Sequence, residues 1–131
     1  MAKHTGVAQR IRATVFETAG CRFESYHRYL AGELLCVAEV SDAGNVIASM
    51  EYMLIVDLVY IMNLEVETRY QRMGIGRHLI DSVQGHLCLE VHEDNEGAIA
   101  FYLDRGLRVL GRMPRYYDDG DAIYMERQAD R

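Results

Sequence analysis

The stretch YQRMGIGRHL, Tyr70 to Leu79, sets Gly74 and Gly76 one residue apart, directly after an extended apolar run and directly before residues spaced like a helix face. A glycine-bearing turn between a strand and a helix makes an anion site. Its first-turn N–H groups have no intrahelical partner, and the missing side chains let phosphate oxygens approach the backbone. Two phosphate loops are excluded by residue type. A Walker loop needs Lys and then Ser or Thr after its last glycine, where this chain has Arg77 and His78. The dinucleotide fingerprint needs a third glycine where Leu79 stands. A different phosphate loop and a plain tight turn remain open at this point.

A second stretch, HLCLEVHE, alternates strictly: Leu87, Leu89 and Val91 fall on one face, and His86, Cys88, Glu90 and His92 on the other. All four polar residues are metal-ligand types. Residues two apart on a strand are separated by roughly 6.6 Å, however, too far for four donors to close on one ion, so no metal is expected. On pattern alone Glu90 reads as a charged residue on a solvated strand face.

The chain that must position these residues has 131 of them, half hydrophobic and about a quarter charged, which suits one folded domain spanning 1–131. It contains no apolar run near the length of a bilayer crossing, and its first residues are not followed by the apolar segment of a secretory signal, so a cytoplasmic protein is expected. Cys21, Cys36 and Cys88 are odd in number and show no paired spacing, which suits reduced thiols. The formal charge of −6 disfavours a non-specific grip on nucleic acid and suits a cationic acceptor such as an amine.

Residues 9–17 alternate like a strand, and Phe23, Tyr26, His27 and Leu30 recur at helical spacing between Gly20 and Gly32, which predicts a helix. ELLCVAEV and NVIASMEYMLIV read as a hairpin around DAGN, and VYIMNLEVE as a central strand buried on both faces, because its apolar residues do not alternate. Ile75, Leu79, Ile80 and Val83 predict a helix of about three turns. Asn95 is a helix N-cap, Gly106 a helix stop, and the last segment two strands around DDGD. The architecture expected is a mixed sheet of about six to seven strands with helices on both faces.

Gln71, Gly74 and Gly76 in QRMGIG match the Gln/Arg-x-x-Gly-x-Gly/Ala signature of the GNAT acetyltransferases, and the context extends the likeness. NLEVETRYQRMGIGR resembles, without a gap, the matching stretch of RimI-type protein N-terminal acetyltransferases. LEVHEDNEGAIAFYLDRGL resembles their next strand and helix, and RYYDDGDAIYM their last hairpin. The resemblance covers roughly residues 34 to 127. Two departures stand out. Between Gln71 and Glu90 the chain is shorter than typical members by about two helical turns, and the N-terminal region has room for one helix where the family usually has two.

The resemblance implies that residues Gln71, Arg72, Met73, Gly74, Ile75, Gly76 and Arg77 cradle the pyrophosphate of acetyl-CoA, with Asn95 near its pantetheine arm, although N-capping alone also explains Asn95. It implies that a backbone N–H of Leu64, Glu65 or Val66 polarises the thioester carbonyl. Glu90, five residues before Asn95, is then the general base, and Tyr102, seven after, donates a proton to the departing sulfur. Tyr60 becomes an auxiliary base or water-positioning group, and Tyr116 and Tyr117 cover the acceptor. By position in the predicted N-terminal helix alone, Tyr26, His27 and Tyr29 are candidates for the wall of its groove, and core packing explains Tyr26 equally well. Adjacent strand residues face opposite ways, so one of Tyr116 and Tyr117 is expected to point into that groove. The function implied is acetyl transfer from acetyl-CoA to a primary amine, a protein N-terminal α-amine above all, by direct attack in a ternary complex. A small-molecule amine acetyltransferase and a non-catalytic acyl-CoA-binding module are the alternatives, and a second copy of the chain is a candidate partner.

Overall fold

The computed structural model describes residues 8–30 and 35–129. Its elements run β1 (Ala8–Thr18), β2 (Cys21–Leu30), β3 (Leu35–Asp42), β4 (Asn45–Ile55), β5 (Leu58–Val66), α1 (Ile75–Asp81), β6 (His86–His92), α2 (Glu96–Asp104), β7 (Arg108–Tyr117) and β8 (Gly120–Arg127), with one 3₁₀ turn at Thr68–Tyr70. The strands form one eight-stranded sheet in the order β1-β2-β3-β4-β5-β6-β8-β7. All neighbours are antiparallel except β5 and β6, which α1 joins as a crossover. The expected mixed sheet is present, with eight strands where six to seven were expected.

The extra strand is β2, and it corrects the predicted N-terminal helix. Ala19 and Gly20 both take positive φ, 51° and 77°, which is the two-residue loop whose twist matches a hairpin and fastens residues 21–30 to β1. The segment also alternates, with Phe23 and Ser25 buried and Glu24 and Tyr26 half-buried between them, and it is rich in aromatics that suit a strand. Gly32, the expected stop of that helix, lies outside the described residues. With residues 21–30 in the sheet, no helix of the described residues covers the second face. Both α-helices share the other one.

That helix-bearing face holds the core. Ala38, Val40, Ala48, Met50, Val59, Leu87, Leu89 and Met125 pack under Ile75, Leu79 and Ile80 of α1 and under Tyr102 of α2. α1 is seven residues, two turns rather than three, and Val83 continues the apolar stripe just beyond it. The expectation that β5 is buried on both faces is also corrected. Glu51 pairs with Asn63 and Tyr52 with Ile61, so Met62 is an inserted residue, half exposed, and the bulge breaks the alternation. No helix among the described residues is long and apolar enough to cross a membrane.

Candidate active site

β5 and β6 run side by side only from Leu58, Val59 and Tyr60 to His86, Leu87 and Cys88. Beyond that register no pairing joins them, so the sheet is split between Leu64–Val66 of β5 and the end of β6. On the helix-bearing face the split opens into a groove of about 830 Å³ lined by Leu64, Val66, Gln71, Arg72, Gly74, Ile75, Gly76, Arg77, Asn95 and Tyr102, with Tyr70, Gly97, Ala98, Ala100 and Phe101 completing it. Glu65 lines an adjoining hollow with Leu64, Val66 and Gln71. Met73 turns its carbonyl the other way, towards Thr18.

Each glycine of the loop has a local reason as well. Gly74 is the N-cap of α1 at φ +87°, a left-handed conformation costly for other residues, and a Cβ there would lie 2.9 Å from Thr18 Oγ1. A Cβ on Gly76 would meet Phe101 Cζ at 3.3 Å, so this glycine lets α1 and α2 close on each other. Gln71 donates from Nε2 to the Val66 carbonyl at 3.0 Å, tying the loop back to the end of β5. Gly97, Ala98 and Phe101 were missed from the sequence. They belong to α2 and line the groove opposite the loop, and only the helical spacing from Asn95 points to them.

On the helix-free face, Glu90 stands two residues past Cys88, the last residue of β6 paired with β5, at the mouth of the split. Tyr60 donates its hydroxyl to Glu90 Oε1 at 2.5 Å, and Tyr116 donates to the same oxygen at 2.9 Å. Burial, then the Glu90 carboxylate beside it, raises the Tyr60 phenol above the ordinary tyrosine range. Tyr60 is therefore held protonated as a donor. The bond sets Tyr60 as a donor that fixes the Glu90 carboxylate. The hydrogen bond to Glu90 and the carboxylate charge raise Tyr116 in the same direction.

The expectation that Tyr116 and Tyr117 face opposite ways is corrected. Tyr117 stacks on His92 with ring centroids 5.0 Å apart, and His92 shares the Glu90 face. Both tyrosines thus lie on one side, their own rings 5.0 Å apart edge to face. The cause is a register shift between Met113 and Tyr117, where Arg115 takes φ +55° and its N–H bonds Asp121 Oδ1 at 2.9 Å.

His86, Cys88, Glu90 and His92 do not converge. His86 bonds Glu126, and Glu90 takes the two phenols. His92 bonds Asp119 at 2.8 Å, a contact that raises its pKa. Burial raises the Cys88 thiol, an inert state for that group. Tyr26 and His27 sit in β2, four strands from β6, or roughly 19 Å at ordinary strand spacing. His27 bonds the Tyr52 hydroxyl at 2.7 Å on the helix-bearing face, away from Glu90.

Tyr102 is on the helix side of the split, buried, with its phenol pushed up to about 12 by desolvation. Asn95 accepts the Ala98 N–H at 3.1 Å and caps α2. Asn95→Ala is expected to lose about 1 kcal/mol, a fall in Tm of about 4 °C by calorimetry. A loss of donor affinity beyond that of the cap would give Asn95 a contact with the ligand as well.

The model of the acetyltransferase (GNAT) family matches residues 8–107, more than half of the chain. The chain belongs to the GNAT acetyltransferase family. An Escherichia coli (strain K12) [ribosomal protein bS18]-alanine N-acetyltransferase is 33% identical over 106 residues, covering 72% of each chain. The crystal structure of the Escherichia coli ribosomal-protein-S18-alanine N-acetyltransferase superposes with a TM-score of 0.66 at 32% identity, over 76% of this chain and 72% of that one. An uncharacterised Mycobacterium leprae (strain TN) protein is 37% identical over 76 residues, which is 53% of this chain but only 21% of that longer protein. GNAT enzymes take acetyl-CoA as donor.

Proposed function

We propose that this GNAT protein transfers an acetyl group from acetyl-CoA to the N-terminal α-amine of a protein, acting in the cytoplasm. The observation that carries the reading is the split between β5 and β6, with Glu90 at its mouth on one face and the groove of the glycine loop on the other. Donor and acceptor then approach from opposite faces and meet in the gap. The likeness to alanine N-acetyltransferases at about one-third identity supports a protein amine as acceptor.

In this reading the pyrophosphate lies on the backbone of residues 72–77, flanked by Arg72 and Arg77. The edge of β5 beyond Tyr60, free of β6, supplies a backbone N–H to the thioester carbonyl. Glu90 removes the amine proton, directly or through a water held by Tyr60. An α-amine has a free pKa of about 7.7 to 8.0, so the base acts on a modest acid. Tyr102 faces the sulfur from the helix side. Tyr116 and Tyr117 cover the acceptor from β7.

The test is a panel of N-terminal peptides and small amines incubated with acetyl-CoA and read by mass spectrometry. Acetylated peptide α-amines are expected; modification of small amines alone would refute the protein acceptor. Tyr60→Phe is expected to lower kcat about tenfold, since it removes one charge-assisted hydrogen bond to the base while leaving the donor groove intact. Steady-state kinetics at saturating acetyl-CoA would show it, with the KM for the donor unchanged.

A further inference from the structure

We propose that Thr18, in the β1–β2 hairpin, is a positioning residue for the donor loop, setting the peptide plane between Met73 and Gly74 on which acetyl-CoA binds. The inference rests on the acetyl-CoA reading of the groove and adds a residue outside the loop to it. Three contacts tie this hairpin to the loop and its helix. The Thr18 hydroxyl donates to the Met73 carbonyl. The Phe16 ring lies flat on the His78 imidazole of α1, 3.6 Å between centroids at 4°. Phe23, 5.7 Å from Phe16, meets Tyr70 edge-on at 6.0 Å, at the start of the loop. Tyr70 is in turn fixed to Asp42 by its hydroxyl at 2.6 Å.

The geometry of the peptide unit gives the bond its consequence. In a trans peptide the C=O and the N–H point in opposite directions. Holding the Met73 carbonyl against Thr18 therefore turns the Gly74 N–H away from the hairpin. Without that donor the peptide at a left-handed glycine is free to rotate, because Gly74 at φ +87° has no side chain to resist it. α1 is only seven residues long and cannot fix the loop by its own length. Burial lowers the His78 pKa, which keeps the imidazole neutral under Phe16. The approach is also close enough to select the residue at 74, since a Cβ there would stand 2.9 Å from Thr18 Oγ1.

Calorimetry with CoA and steady-state kinetics on the full chain test this. Thr18→Val is expected to raise the Kd for CoA and the KM for acetyl-CoA together by roughly 5- to 10-fold, the scale of one hydrogen bond, with kcat at saturating donor within about twofold. Thr18→Ser, which keeps the hydroxyl, is expected to restore both. Unchanged affinity in Thr18→Val, or a Ser variant as weak as the Val one, overturns the proposal, as does a fall in kcat with KM unchanged. A second measurement does not depend on the Val variant folding: Gly74→Ala is expected to weaken CoA less in a Thr18→Ala background than alone, because the Oγ1 it strikes is gone. Equal effects in both backgrounds overturn the contact as a determinant. Failure of the wild-type chain to bind CoA would instead remove the donor reading itself, and this proposal with it.

Discussion

Glu90→Gln is expected to lower kcat by roughly 10²-fold or more while the affinity for CoA stays within a few-fold. The substitution keeps the shape of the side chain and leaves an amide oxygen for Tyr60 and Tyr116 to bond, so what is lost is the ability to take a proton. The donor groove is on the opposite face of the sheet and does not touch Glu90, which separates the two quantities. The deficit should also depend on pH. Below the α-amine pKa of about 7.7 to 8.0 the acceptor is an ammonium that must lose a proton before it attacks, and above it the amine is already neutral. If Glu90 serves that first deprotonation, the ratio of wild-type to variant kcat/KM falls as pH rises from about 7 to 9. A ratio constant over this range would place the proton transfer after the attack. Wild-type turnover by the variant at every pH would remove Glu90 from the mechanism.

Much of the scaffold around Glu90 was legible because its signals are local. HLCLEVHE alternates and becomes β6, Asn95 and Gly106 bracket α2, and the glycines after an apolar run mark the strand-to-helix loop. What the sequence concealed depends on pairing. Residues 21–30 satisfy a helical spacing as well as an alternating one, and only the Ala19–Gly20 turn, which commits them to β1, decides between the two. The same holds for the paired tyrosines. Alternation would part them, and the bulge that puts both on the Glu90 face is a matter of how β7 registers against β8. Met62 shows the converse error, in which an inserted residue imitates a strand buried on both faces. Thr18 could not have been found by spacing at all, since it reaches the loop across 55 positions of sequence, from the end of a strand whose hairpin partner carries a helical spacing.

Tyr102→Phe is expected to lower kcat by roughly 10- to 10²-fold, with CoA binding within about twofold. The ring is part of the core and Phe fills the same space, so the loss belongs to the hydroxyl. The size follows from acidities. Burial pushes the Tyr102 phenol up to about 12, whereas an ordinary thiol, taking cysteine as the reference, has a pKa of about 8.5. Complete transfer of the proton from phenol to thiolate is therefore uphill, and in the proposed mechanism the hydroxyl donates a hydrogen bond to sulfur as its negative charge develops. Such a bond exists in full only as the C–S bond breaks, so its removal falls on kcat and not on donor binding. The ionisation also fixes the pH dependence. Tyr102 stays protonated well above pH 9, so wild-type kcat should carry no alkaline limb from this residue over the range in which the amine becomes neutral. An alkaline limb near pH 9 that disappears in Tyr102→Phe would mean that the phenol is far more acidic in the donor complex, and that it surrenders its proton to the leaving sulfur outright.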